Sequence, residues 1–277
     1  MNDILRAVIL GVVQGLTEFL PVSSTGHMIL TMPLLGIHAS DPDFHFWNGA
    51  FDIFIQLGSI LAVLIYCWRR LCRLTFNPSH TPWYEHFSVK LLIAFLPAIV
   101  VGYLAHHFIE EKLKVPSVVA CALIVGGILI LVIQKAIKTP SINDAGAVSL
   151  PRAAIIGLIQ CLSLIPGTSR SGATIMGALS VGMAPAAAAE FSFFLAIPTM
   201  FAAGLFSLYK HRHEISSDQL MPLAVGFAVS FVVAWAVVAA FMRFIQTHRF
   251  TMFAIYRIAL GVIVLAWVLG RSSIGSP

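Results

Sequence analysis

The sequence predicts an all-α polytopic membrane protein made of two inverted repeats, each a re-entrant helix pair followed by three transmembrane helices. Composition is the first reason. The 277 residues are 58% hydrophobic and 10% charged, where a soluble domain carries roughly a quarter charged residues. Second, several stretches hold no charge and are long enough to cross a ~30 Å hydrocarbon core; Val115–Ile133, Phe191–Tyr209 and Leu220–Met242 are the clearest. Third, the chain repeats itself. Gly11, Gln14, Leu16 and Gly26 of "AVILGVVQGLTEFLPVSSTG" recur as Gly157, Gln160, Leu162 and Gly172 of "AAIIGLIQCLSLIPGTSRSG", with Pro21 matching Pro166 after a slip of one residue.

The first repeat covers 1–138 and opens with an interrupted segment over 5–35. Proline removes a backbone donor and disfavours helix in its predecessor, so helix is expected to stop near Leu20. "VSSTG" then supplies capping hydroxyls for a second half-helix. Broken backbone at membrane depth is tolerated where protein buries it or it lines a cavity, which makes this segment re-entrant. Arg6 followed by "AVILGVV" has the look of a signal peptide, but no small-residue cleavage site follows, and the repeat beginning at Ala7 marks the segment as structural. Spans over 51–68, 88–105 and 116–134 complete this half, and "KTPSINDAGAVSLP" supplies a polar linker over 139–152. The second repeat, 153–277, opens with an interrupted segment over 153–182 that breaks near Ile165, followed by spans over 186–209, 220–243 and 252–270.

Three spans per repeat is an odd number, so the repeats are expected to be inverted in the membrane. The formal charge of +5 fits that topology and not nucleic-acid binding. Arg69, Arg70 and Arg73 follow one span, Lys135 and Lys138 another, Arg243 and Arg249 a third, as the positive-inside rule requires when both termini lie outside. Cys67, Cys72, Cys121 and Cys161 show no metal spacing and read as small packing residues. His106-His107 and "HRHE" (His211–Glu214) lack metal-site geometry and fall in interfacial loops.

Chemistry concentrates at the two breaks. Each half-helix start presents free N–H groups and a positive dipole end, a natural seat for phosphate. Arg170 adds a planar fork able to grip two phosphate oxygens. Gln14 and Glu18 are four apart and share one helix face. A carboxylate buried there needs a partner: a divalent cation or water beside phosphate, or Arg170 in an ion pair. Ser24 and His27 share a face at the next half-helix and suggest phosphoryl transfer. Ser23, Thr25, Ser169, Ser171 and Thr174 are candidate substrate contacts, with helix capping as their ordinary role.

"QGLTEFLPVSSTGH" and "PGTSRSGAT" resemble the two signatures of the bacterial undecaprenyl-diphosphate phosphatase family, also called the bacitracin-resistance protein family. The first signature is Glu or Gln, three residues, then Glu, with a histidine downstream; the second is Pro-Gly-x-Ser-Arg-Ser-x-x-Thr. "IQLGSILAV" (Ile55–Val63) and "EFSFFLAIP" (Glu190–Pro198) extend the resemblance across the chain. It implies inverted repeats with re-entrant pairs, removal of the terminal phosphate of undecaprenyl diphosphate, and active-site roles for Gln14, Glu18, Ser24, His27, Ser169, Arg170 and Thr174. Many members carry Glu where this chain has Gln14, which bears on metal binding there.

The expected protein is therefore a lipid diphosphatase of the bacterial inner membrane, opening toward the periplasm and recycling the carrier lipid of the cell wall. Arg170 and the half-helix ends hold phosphate, and Glu18 orients Mg²⁺, Ca²⁺ or water. Ser24 and His27 supply nucleophile and proton transfer in an order the sequence leaves open. Expected partners are the polyprenyl diphosphate, the bilayer and, in a homodimer, a second copy, with no nucleic acid. The competing reading is a lipid-phosphate flippase or transporter, the usual use of inverted repeats with broken helices, but such a protein has no need of a nucleophile.

Overall fold

The computed structural model describes residues 2–76, 82–113, 115–137, 139–211 and 216–274. These fold into helices joined by turns, and a single bridge between Ile142 and Met183 is the extended pairing among the described residues. Two short helices, α1 (Asp3–Thr17) and α2 (Ser24–Leu34), precede three long ones, α3 (Asp52–Thr75), α4 (Phe87–Phe108) and α5 (Pro116–Ala136). The second half follows the same order: α6 (Leu150–Gln160), α7 (Arg170–Ser180), then α8 (Pro185–His211), α9 (Leu220–Ile245) and α10 (Thr251–Ile274).

The six long helices have the length and apolarity to cross a membrane. The short ones do not. At 1.5 Å per residue the longest of them, α1, reaches about 22 Å, short of a ~30 Å core. Regular helix also ends earlier than the prolines alone suggest, at Thr17 and at Gln160, the latter followed by a tight turn over Cys161–Leu164. The long helices run beyond their apolar stretches. A π-helical turn, Phe46–Phe51, extends α3 at one end, and Arg69, Arg70 and Arg73 lie on its last turns rather than in a loop. Hydropathy marks the membrane-embedded part of a helix, whereas hydrogen bonding carries it on into the interface.

Packing runs mainly between the halves. α1 lies on α9 and, with the halves exchanged, α6 lies on α4; α5 pairs with α10, and α3 packs on α8 and α9. Glycine permits the closest of these approaches. A Cβ on Gly11 would come within 2.8 Å of the Gly226 carbonyl oxygen, and one on the corresponding Gly157 within 2.4 Å of that of Ala94. Small residues let membrane helices approach to backbone contact, where dispersion replaces the hydrophobic drive that lipid removes.

The polar connection between the halves is packed in place. Arg70 bridges Asp144 and Glu190, the latter at 3.2 Å, and Lys90 donates to the Gly146 carbonyl at 3.3 Å. Ile142, Ala145 and Val148 are buried beneath these contacts. Arg70 thus serves as a tether as well as an interfacial charge. The four cysteines are free thiols. The side chains of His106 and His107, Lys138, and the His211–Glu214 side chains lie outside the described residues.

Candidate active site

The two breaks meet in the protein interior and share one local design. Ser23 and Ser169 cap α2 and α7 with φ of 71° and 69°, and their hydroxyls accept from the backbone N–H groups of Gly26 (3.3 Å) and Gly172 (3.1 Å). A side chain held at positive φ costs on the order of 1–3 kcal/mol and persists only where its surroundings fix it. Ser171 helps to do so. Its hydroxyl, 2.9 Å from that of Ser169, reaches across to the carbonyl oxygens of Leu20 (2.9 Å) and Glu18 (3.3 Å). Ser171 therefore ties the second break to the first.

Glu18 sits one residue beyond α1, still helical, with its N–H donating to the Gln14 carbonyl. Its Oε2 accepts from the Gln14 amide and from the Ser24 hydroxyl, both at 2.9 Å, while its Oε1 lies 3.5 Å from Arg170 Nη2. Gln14 and Glu18 are buried. The amide oxygen of Gln14 has no partner among the described residues.

Arg170, the first residue of α7, donates through Nη1 to the Ser192 carbonyl at 3.0 Å and lies over the Phe19 ring, 5.6 Å from its centroid. Its Nε is buried with no hydrogen-bond partner among the described residues, and its buried Nη2 has only the Glu18 carboxylate, at the long distance of 3.5 Å. These atoms form one edge of the guanidinium, the edge that grips two oxygens of a phosphate. A buried donor without an acceptor is costly, and this edge is open to a further acceptor. The Ser192 hydroxyl and the Gln160 amide nitrogen are also buried, with no hydrogen-bond partner among the described residues.

His27 and Ser24 have different partners. Its Nδ1 is 2.7 Å from the Ser23 carbonyl and its Nε2 is 2.6 Å from the Tyr256 hydroxyl, with the two rings stacked. A carbonyl can only accept, so Nδ1 carries a proton and Nε2 of the neutral ring accepts from Tyr256. Thr174 bonds to the Arg170 carbonyl (2.8 Å) and to the side chain of Gln160 (3.3 Å), and Thr25 is exposed on the first turn of α2.

The structure thus gathers Gln14, Glu18, Ser24 and Arg170 directly, with Ser23, Ser169, Ser171 and Thr174 shaping the loops that carry them. Gln160, Ser192, Tyr256 and Arg257 also belong to this neighbourhood, and sequence reasoning passed over them as site residues. Gln160 is the repeat mate of Gln14. Arg257 is a lone charge within an apolar span, the signal that marks functional residues inside membranes.

The fold is that of a polytopic helical membrane protein, and its interior holds a carboxylate-bound hydroxyl beside a buried arginine. The sequence model of the family described as Bacitracin resistance protein BacA matches residues 7–263. A protein from Rhodopseudomonas palustris named undecaprenyl-diphosphatase is 46% identical over 272 residues, covering 98% of this chain and 100% of the relative. One from Rhizorhabdus wittichii with the same name is 45% identical over 97% of this chain and 99% of its own. Undecaprenyl-diphosphatase 1 of Chromobacterium violaceum is 48% identical, covering 94% of each chain. The chain belongs to the bacitracin resistance protein BacA family.

Proposed function

We propose that this protein hydrolyses undecaprenyl diphosphate to undecaprenyl phosphate and inorganic phosphate, the activity its full-length relatives are named for. The observation that carries the mechanism is the shared carboxylate: Glu18 accepts from Ser24 while sitting against Arg170. Arg170 holds two non-bridging oxygens of the terminal phosphate with its Nε–Nη2 edge, Nη2 exchanging its long contact with Glu18 for the phosphate. The Ser24 oxygen attacks the terminal phosphorus and passes its proton to Glu18. The bond from phosphorus to the bridging oxygen breaks, and the prenyl phosphate leaves with that electron pair and takes up the proton from Glu18, which is ionised again. Water, deprotonated at Glu18, then attacks the phosphoserine; phosphate leaves, and Ser24 recovers its proton. Electrostatic positioning of this kind carries most of phosphoryl-transfer catalysis.

Among the described residues no three His, Cys, Asp or Glu side chains gather as a metal cage. Mg²⁺ needs none, since one carboxylate, waters and substrate phosphates suffice. Glu18 and the unpartnered Gln14 amide oxygen fit that role. A bound Mg²⁺ or Ca²⁺ would supply charge neutralisation at the phosphates.

An apolar groove of about 380 Å³ runs between α5 and the second break, from Ser117 past Val125 and Ile165 to Thr168, and gives the prenyl chain a path to the lipid. The protein resides in the bacterial inner membrane with inverted halves and both termini outside, so that the site opens toward the periplasm. The cell-wall carrier lipid is regenerated there, and a homodimer is its assembly in the bilayer. The flippase reading leaves the Ser24–Glu18 hydrogen bond without a purpose.

The test is phosphate release from a long-chain prenyl diphosphate by purified protein in detergent, with and without EDTA, followed by acid quench. Release and an acid-stable phosphoenzyme that Ser24→Ala abolishes are expected. Release without a phosphoenzyme would make water the direct nucleophile, and no release under any metal condition would overturn the enzyme.

A further inference from the structure

Arg257 is fully buried on α10, and no ion pair among the described residues includes it. All its hydrogen bonds go to backbone carbonyls. Nη1 donates to Pro21 (3.2 Å), Nη2 to Gly167 (3.2 Å) and Ala122 (3.2 Å), and Nε to Leu123 (3.4 Å). Pro21 and Gly167 lie in the two breaks, each two residues ahead of a strained serine, Ser23 or Ser169. One planar cation therefore grips both breaks and fastens them to α5. The passage is made for it. A Cβ on Gly126 would fall 2.3 Å from Nη2, and one on Gly172 2.9 Å from Nη1.

A buried charge without a counter-ion is costly, and four carbonyl dipoles offset only part of that cost. An apolar side chain at this position would pack α10 against α5 without the penalty. What the guanidinium adds is geometry and field. Its fork fixes the separation of the two loops, and with it the separation of Ser24 and Glu18 on one side from Arg170 on the other. Its charge, added to that of Arg170, outweighs the single carboxylate of Glu18 and gives these three side chains a net positive formal charge.

We infer that Arg257 is a positioning residue of the reaction, which locks the two broken segments into one active site and supplies the positive field that draws in the diphosphate. It touches backbone rather than substrate and acts through the loops. The inference rests on the phosphatase reading above.

The two contributions separate in variants. Arg257→Lys keeps the charge, but a single ammonium on a flexible stem cannot span both loops. Misplacing catalytic groups by an ångström costs about 10²-fold, so Lys should lower kcat about 30- to 100-fold and leave KM within about threefold. Arg257→Gln removes the charge too, so KM should rise about tenfold or more beyond the same loss of kcat. Gly126→Ala displaces the guanidinium without altering any charge and should reproduce the Lys pattern. Rates are measured per folded molecule, from monodispersity and thermal unfolding in detergent, on the purified full chain with long-chain prenyl diphosphate. A purely structural role would lower the folded fraction and leave kcat and KM of the surviving molecules unchanged. That result, or normal kcat in Arg257→Lys, overturns the inference. Failure of all three variants to fold would make Arg257 a folding residue and overturn it as well. Absence of turnover by the wild type would instead overturn the phosphatase reading.

Discussion

Ser23 and Ser169 occupy corresponding places in the two halves and hold the same backbone conformation, φ 71° and 69°, each capping its helix through the glycine three residues on. Alanine at either position keeps the strain and loses the cap, a loss of about 1 kcal/mol. Glycine also loses the cap but relieves strain on the order of 1–3 kcal/mol. Thermal unfolding in detergent should therefore show Ser→Ala destabilised at both sites and Ser→Gly at or above wild type. Equal midpoints for Ala and Gly would mean that the serines are not strained.

Arg170 presents an edge whose Nε has no hydrogen-bond partner among the described residues, so geometry should matter as much as charge. Arg170→Lys is expected to lose nearly as much activity as Arg170→Ala. Losing a charge-assisted phosphate contact in a dry site is worth about 2–4 kcal/mol, or roughly 30- to 1000-fold in rate. Near-normal turnover by the Lys variant would reduce Arg170 to a point charge.

Gln14 and Glu18 are hydrogen-bonded neighbours of opposite character, and exchanging amide for carboxylate should affect them oppositely. Glu18→Gln removes the acceptor of the Ser24 proton and should abolish measurable activity. Gln14→Glu adds a second carboxylate and should lower the Mg²⁺ or Ca²⁺ concentration needed for half-maximal rate. The readout is rate against metal concentration for wild type and both variants. An unchanged metal response in Gln14→Glu would remove the cation from this pair.

Tyr256 and His27 should act as a coupled pair. Tyr256→Phe removes one hydrogen bond, typically worth about 0.5–1.5 kcal/mol, and should slow turnover about tenfold or less. In a His27→Gln background the same change should cost almost nothing, giving a coupling near 1 kcal/mol in a double-mutant cycle. Additive losses would show that the two rings act independently.

The helix breaks were legible because proline, glycine and hydroxyl residues interrupt long apolar runs, and the six spans because nothing else explains stretches of that length without charge. The contact of Gln14 with Glu18 followed from helical spacing. Arg257 and Tyr256 were not legible in that way. A hydropathy window absorbs one arginine, and nothing local shows that α10 leans on α2 and α5. The pairing of His27 with Tyr256 was hidden for a related reason: Tyr256 comes from 229 residues away. The linker reads as polar, and nothing local shows that Arg70 and Lys90 hold it down.

The exchange of partners between halves has a consequence for what counts as a unit. α1 rests on α9, α6 on α4 and α5 on α10, so either half taken alone would leave its most intimate backbone surfaces facing lipid, and its share of the site without a counterpart. What repeats in the sequence is therefore not what folds. A chain severed in its connecting segment should yield two pieces that are inert apart and active when made together in one membrane, because each is the other's scaffold.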